Sequence, residues 1–518
     1  MASSTPEFRR RSFLRSTGAA VLAVAVGGPL AACGSDGSGG SGSGDKAAAP
    51  KTVDRLKVAL TDPTKANGTD PRAVGNGLSS MVMYHLYDSL MLLAGDKYVY
   101  GLAETVTPNA DGSRWTVTLR TGAKFHDGRP VTAKDAVFSL RTVGTAPASR
   151  SSVFVDVDLP NLKVVDDRSF EVPLKRPRGD FREAVLVAFS PVFPDGTTDF
   201  SKGIGSGPYK LEGVDDQNVR LVVNDDYWGP KPSVKRLELI RIADAAARLN
   251  AVKSGEVDYA VGISAVGAAT EKANKALTVV RAGAASANAL SFSMNQTLAP
   301  FDNPKVRQAL RLAVDRKQLV DTALLGNGSV ANDVVGQGMP GYADLPERKR
   351  DVAQAKKLLQ EAGITELTLR TGDVVPGMLD ASKLFQQQLA EVGVTLKLQT
   401  VPADAYYADL KTLTQNPFQA FYYANRPPAL HLAATTTQAA FFNVTGAGAA
   451  HWKRLGDAQL ITDDAKRAKA FDEIQHDFYD NGGDIIWAFQ DQLDATRVPL
   501  NGIGRVGALP IFSAAAAV

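Results

Sequence analysis

Residues 351–398 spell out a helix, a strand, a second helix and a second strand with short joins, and that order restricts the fold more than any other stretch. Asp351 is a good N-cap, and Val352, Ala355, Leu358 and Leu359 recur on one helical face until Gly363. Glycine suits the position just past a helix end, because it takes a left-handed backbone without a Cβ clash. Leu367 and Leu369 then alternate as a strand. A helix is predicted over residues 381–391, stopping at Gly393, and Val394, Leu396 and Leu398 alternate as the next strand. Two strands joined through a helix lie parallel, since the crossover returns the chain to the same end of the sheet. The later half is therefore expected to be α/β.

The earlier part carries more antiparallel signals. Residues 56–60 alternate as a first strand, and residues 79–93 are apolar at helical spacing through Met83, Leu86, Tyr87 and Leu90. Trp115, Val117 and Leu119 alternate as a half-buried strand. Thr132 is an N-cap with Asp135 three residues on, so a helix opens there. Turns at Asp166-Asp167 and Asp215-Asp216 predict hairpins. Asn303 is another N-cap, followed by Pro304 at the first helical position, where a missing N–H leaves no bond unmade.

Cys33 is the only cysteine among 518 residues, so no disulfide forms within one chain. Stability must rest on burial, which a chain of this length can provide. Leu30-Ala31-Ala32 precede Cys33, and small or apolar residues ahead of a cysteine resemble the lipobox of bacterial lipoproteins. That resemblance implies a lipid on the Cys33 thiol and cleavage just before it. Upstream, Arg10-Arg11 with Phe13 and Leu14 resembles a twin-arginine export signal. The apolar run at 19–26 is shorter than the ~20 residues a membrane-spanning helix needs, and it suits the core of a signal peptide. Residues 34–44 are glycine and serine with one Asp, a flexible tether. Over residues 33–50 its reach is roughly 20–25 Å. Within it, residues 37–42 match G-x-G-x-x-G, but no strand precedes them and no helix follows, so no dinucleotide is expected. Arg9, Arg10, Arg11 and Arg15 against Glu7 account for the whole net charge of +3. The body is left near neutral, without a basic field for nucleic acid.

Six blocks keep the order of a known family. The first runs Lys124-Phe125-His126-Asp127-Gly128, then Thr132-Ala133 and Asp135-Ala136-Val137-Phe138-Ser139. Gly205-Ser206-Gly207-Pro208-Tyr209 and Asn224-Asp225-Asp226-Tyr227-Trp228-Gly229 follow. Gly255-Glu256-Val257-Asp258, Asn303-Pro304-Lys305-Val306-Arg307 and Ala355-Lys356-Lys357-Leu358-Leu359 complete the set. Across residues 56–505 they resemble the solute-binding proteins of ABC importers in the peptide/nickel class, which includes dipeptide- and oligopeptide-binding proteins. The resemblance implies an α/β fold of periplasmic-binding-protein type II, with two lobes joined by a hinge and an extra subdomain inserted in the first. The expected division is a signal peptide at 1–32 and a tether at 33–50. Lobe I is expected at 51–80, 188–270 and 484–518, its inserted subdomain at 81–187, and lobe II at 271–483. Residues 484–490 are expected to cross back to the first lobe. His126, Tyr209 and Trp228 read as turn and packing residues.

Catalytic signatures are missing from the sequence. It has no G-x-x-x-x-G-K-[ST] loop, no H-E-x-x-H and no G-x-S-x-G elbow, and its five histidines share no metal-ligand spacing. No enzyme activity, metal or cofactor is expected. The candidate ligand-binding residues are Tyr422, Tyr423, Asn425 and Arg426, in an aromatic strand running into Pro427-Pro428. In peptide-binding relatives a similar stretch carries an aromatic and, three residues on, an Asp for the peptide's α-ammonium; aligned, these become Tyr422 and Asn425. An uncharged Asn425 beside Arg426 suggests a ligand neutral or anionic at this end: a blocked peptide, a siderophore-like molecule or a glycoside. Trp487 and Phe489, read as sharing one strand face, are the second candidates, lining the crevice or filling the core. The leading expectation is a lipid-anchored monomer on the outer face of the cell membrane that hands a peptide or peptide-like solute to an ABC permease. The rivals are an extracytoplasmic sensor or carrier for a non-peptide ligand and a secreted envelope hydrolase.

Overall fold

The computed structural model describes residues 52–61, 68–75, 77–216, 218–403, 405–437, 440 and 442–517. The expected leader and tether, with Cys33, lie outside the described residues.

Two large sheets organise the body. In the seven-stranded sheet Val53–Leu60 lies between Val234–Arg241 and Tyr259–Ala260, parallel to both. Asn218–Val223 and Tyr209–Val214 extend one edge as an antiparallel hairpin, as the Asp215-Asp216 turn predicts. Leu493–Thr496 and Thr278–Arg281 extend the other. The six-stranded sheet runs Gly328–Val330, Asp484–Gln490, Asn288–Met294, Phe418–Ala424, Glu366–Thr371, Thr395–Thr400. Its last two strands pair in parallel through the helix Met378–Glu391, the crossover unit expected from periodicity alone. Each sheet has its own buried core, so the body has two lobes. A four-stranded sheet, Ala103–Pro108, Arg114–Leu119, Ser169–Pro173 and Lys163–Val164, adds to the first. There Trp115, Val117 and Leu119 point inward. Asp135 and Thr132 form the expected capping box at the start of Ala133–Gly144.

The chain passes between the large sheets twice, between Thr278–Arg281 and Asn288–Met294 and again between Asp484–Gln490 and Leu493–Thr496. The second passage falls at Asp491-Gln492, later than the expected return at residue 484. All seven residues of Asp484–Gln490 are buried, because the strand pairs with Asn288–Met294 on one side and Gly328–Val330 on the other.

The helix expected over 79–93 ends at Leu86, and Met91–Ala94 is instead a strand hairpinned to Lys97–Tyr100. Asp88 sits at this break. Its carboxylate accepts from Trp228 Nε1 (2.7 Å), Tyr227 Oη (3.1 Å) and Ser206 Oγ (3.3 Å). A helix continued through Asp88 would withdraw it from three donors that two of the family blocks supply. Burial pushes the Asp88 carboxyl up to about 6 against these bonds. A raised carboxyl favours the protonated fold, so its stabilising contribution is full below the ordinary carboxylate range and fades as pH rises through about 6. Trp228 fluorescence is expected to titrate near pH 6, and Asp88→Asn to remove that step; a step surviving in the variant would assign it elsewhere.

His126 is a turn residue, as expected. Its Nδ1 accepts from Gly205 N (3.2 Å) and its Nε2 faces the Gly207 carbonyl (3.1 Å). In the second lobe, Arg307 and Arg311 cap the helix Asp464–Asn481. Arg307 donates to the Asn481 carbonyl (2.8 Å), and the fully buried Arg311 donates to the carbonyls of Asp480, Gly482 and Asp484. Cations suit a helix C-terminus, where unpaired carbonyls gather negative charge.

Candidate functional site

The strand Phe418–Ala424 is buried along most of its length and ends where Pro427 and Pro428 forbid further sheet pairing. Pro428 then opens the helix Pro428–Thr435 at the position that needs no N–H. Tyr423, Asn425 and Arg426 therefore lie at the end of a central strand, beside the segment by which the chain enters the second lobe.

Tyr423 is anchored. Its hydroxyl reaches the fully buried Asp484 (3.3 and 3.4 Å), which also accepts from Ser291 (2.8 Å) and Ser293 (2.6 Å). Burial raises both the phenol and the carboxyl. The His431 and Tyr423 rings meet near-perpendicular with centroids 4.7 Å apart, and burial, then the nearby Arg426 charge, holds that imidazole neutral. Tyr422 is half-buried against Tyr407.

Asn425 works as a strap. Its Nδ2 donates to the Ala284 carbonyl (2.7 Å), in the segment joining the sheets, and to the Gln337 carbonyl (2.8 Å). A carboxylate here could not make either bond. Arg426 is half-buried, and its Nε makes one long contact to the Ala424 carbonyl (3.4 Å). No carboxylate pairs with it among the described residues.

Trp487 and Phe489 are buried, but they do not share a face. The ladder to Asn288–Met294 shifts register so that Leu290 faces Ala488 and Ser291 faces Ile486, leaving Trp487 as the bulged residue. An extra residue reverses the alternation. Trp487 joins Phe292 and Phe385 in one core, and Phe489 joins Tyr423 and Phe421 in another. Trp487 is 1% and Phe489 0% exposed.

The structure also brings together residues that sequence reading missed. A cavity of about 250 Å³ lies between the lobes, lined by Tyr98, Arg182 and Glu183 from the first and by Pro340, Ala429 and Leu430 among others from the second. Beside it, Arg182 pairs with Asp464 (2.5 Å), Arg467 with Glu183 (3.4 Å), and Gly179 N donates to the Gln459 carbonyl (2.6 Å). Pro340 belongs to the loop that supplies Gln337. Gly336, Gly338 and Gly341 in that loop all take positive φ, a dense glycine signal that marked it as special backbone. Among the described residues no three His, Asp or Glu side chains gather as a metal site, and no helix is long and apolar enough to cross a membrane.

Residues 97–431 match the profile of the bacterial extracellular solute-binding proteins, family 5. The glutathione-binding protein GsiB of Salmonella typhimurium is 29% identical over 354 residues, 66% of this chain and 69% of its own length. Among solved structures, HbpA2 from Haemophilus parasuis aligns with a TM-score of 0.76 at 23% identity, covering 90% of this chain and all of its own. The oligopeptide-binding protein AppA from Bacillus subtilis, in complex with a nonapeptide, aligns with a TM-score of 0.65 at 22% identity over 91% of this chain and all of its own. The two-lobed body is thus a periplasmic-binding fold of type II, and the chain belongs to family 5 of the bacterial extracellular solute-binding proteins, the peptide/nickel class that serves ABC importers.

Proposed function

We propose that the protein captures a peptide or peptide-like solute between its lobes and delivers it to a membrane permease, held at the outer face of the membrane by lipid on Cys33. The observation that carries this reading is a cavity between two lobes joined by two chain passages, which lets a guest be enclosed by relative motion. The ligands of relatives, glutathione for GsiB and a nonapeptide for AppA, point the same way. The work is binding, with no covalent step. Residues 1–32 would be removed on export, and 33–50 would tether the body. Tyr422, Tyr423, Asn425 and Arg426 would form one wall of the site; Phe489 would support it from the core it shares with Tyr423, and Trp487 from the other core.

Native mass spectrometry of the purified protein is expected to reveal a co-purified solute that leaves on denaturation. No solute, and no compaction in small-angle scattering with any peptide mixture, would overturn capture. Cys33→Ala is expected to move the protein from the membrane fraction to the soluble fraction with its affinity unchanged. Retention in the membrane fraction would remove the lipid from the account.

A further inference from the structure

We propose that the Asn425–Arg426 corner selects a solute that presents a neutral N–H or O–H donor close to a carboxylate or other anionic group. An N-acylated peptide acid fits; a peptide with a free α-ammonium at this corner does not. The inference rests on the capture reading and names the class of solute.

Two side chains make the case. Both carbonyls that Asn425 Nδ2 reaches, those of Ala284 and Gln337, are acceptors. A flipped amide would set oxygen against oxygen twice, so the orientation is fixed and Oδ1 is the free end. That oxygen is buried and has no partner among the described residues. The side-chain Oε1 of Gln337, from the loop that Asn425 straps, is also buried without a donor. Native folds rarely leave a buried acceptor in this condition, and Asn425 Oδ1 asks for a donor from outside the chain; Gln337 lines a separate pocket with Asn332 and Glu347.

Arg426 asks for the opposite. Its guanidinium is half-buried, and its single contact is the long one to a backbone carbonyl. The nearest titratable neighbours offer no counter-charge. His431 is neutral, and the Tyr423 hydroxyl is committed to Asp484, which Ser291 and Ser293 also satisfy. Ala429 and Leu430, three and four residues beyond Arg426, line the cavity between the lobes together with Pro340. An α-ammonium would answer the Asn425 oxygen but add a second cation beside an unpaired guanidinium. An amide N–H or a hydroxyl answers it without charge, and a carboxylate can take a two-pronged bond from Arg426.

Calorimetry with three probes tests this: trialanine, N-acetyl-trialanine and N-acetyl-trialanine amide. The acetylated acid is expected to bind at least about tenfold more tightly than either of the others, ~1.4 kcal/mol. Arg426→Gln is expected to shrink the acid-over-amide preference below about threefold, and Arg426→Lys, which keeps the charge but not the two-pronged bond, to retain only part of it; the two variants should share one circular dichroism spectrum. Trialanine binding as tightly as its acetylated form would overturn the inference and leave capture standing. So would an acid preference untouched in Arg426→Gln, or silence with all three probes from a protein that carries a co-purified solute. Silence with no co-purified solute would sink the capture reading as well.

Discussion

Gly179→Ala is expected to weaken solute binding by about tenfold or more, ~1.4 kcal/mol, and to enlarge the molecule in small-angle scattering, while the thermal unfolding of the unliganded protein stays nearly unchanged. The reason is steric. A Cβ at residue 179 would stand 1.8 Å from the Ile461 carbonyl oxygen and 2.4 Å from its carbon. Those are backbone atoms and cannot swing aside as a side-chain tip would. The loop that carries Gly179 cannot retreat either. Trp115 Nε1 donates to the Arg178 carbonyl (3.0 Å), and Arg178 is clamped by Asp156 (2.6 Å) and Asp180 (2.7 Å). The movement must therefore come from the lobes themselves, and a site completed by two lobes loses contacts on one wall. Neither core contains Gly179, so each lobe should fold as before. Removing the charge of Asp464 at the same contact is expected to do much less, because its pair with Arg182 is partly in water and exposed ion pairs contribute ~0–1 kcal/mol. Unchanged dimensions and affinity in Gly179→Ala would show that this contact plays no part in capture.

The contrast between the steric and the ionic change follows how the fold could be read from sequence. Local signals were legible. The N-caps at Asp351 and Asn303, the capping box at Thr132 and Asp135, and the parallel unit through Met378–Glu391 each depend on residues within a turn or two of each other. Features set by distant partners were not. The helix through Leu86 stops because Asp88 is held by Trp228, 140 residues on. The bulge at Trp487 exists only against its partner strand, so strict alternation put Trp487 and Phe489 on one face and the structure separates them. The candidate site divides the same way. An aromatic strand ending in two prolines is visible in the letters, and the structure places Tyr423, Asn425 and Arg426 together at its end. What Asn425 does is not visible, since its partners Ala284 and Gln337 lie 141 and 88 residues away. Read alone, the residue looked like a weakened ligand anchor, whereas its amide nitrogen ties the passage between sheets to a glycine-rich loop. Contacts across the lobes, such as Gly179 to Gln459, leave no periodic trace at all.

Asp333→Asn is expected to destabilise the second lobe by about 3–5 kcal/mol, the range seen when one member of a buried ion pair is removed. Asp333 is fully buried, and its two oxygens meet Arg316 Nη2 and Arg348 Nε, each at 2.6 Å. Arg316 is itself almost fully buried, and Arg348 lies over the Tyr479 ring at 3.8 Å. One carboxylate thus balances two guanidiniums in an interior that also holds Arg311, whose charge burial already disfavours. Asparagine keeps the shape but can accept a neutral bond from only one of them, so a buried cation is left uncompensated. The choice of asparagine matters because Asp333 takes a φ of 63°, a left-handed backbone that Asn tolerates and most residues do not. Asp333→Ala should lose the same charge and add a further ~1–2 kcal/mol of backbone strain. Urea unfolding, followed by tryptophan fluorescence with Trp487 reporting from the same lobe, gives both numbers. A loss below about 1 kcal/mol in Asp333→Asn would mean that the two guanidiniums find water or backbone carbonyls as readily as they find the carboxylate, and the ionic knot would then be a consequence of the packing and not one of its causes.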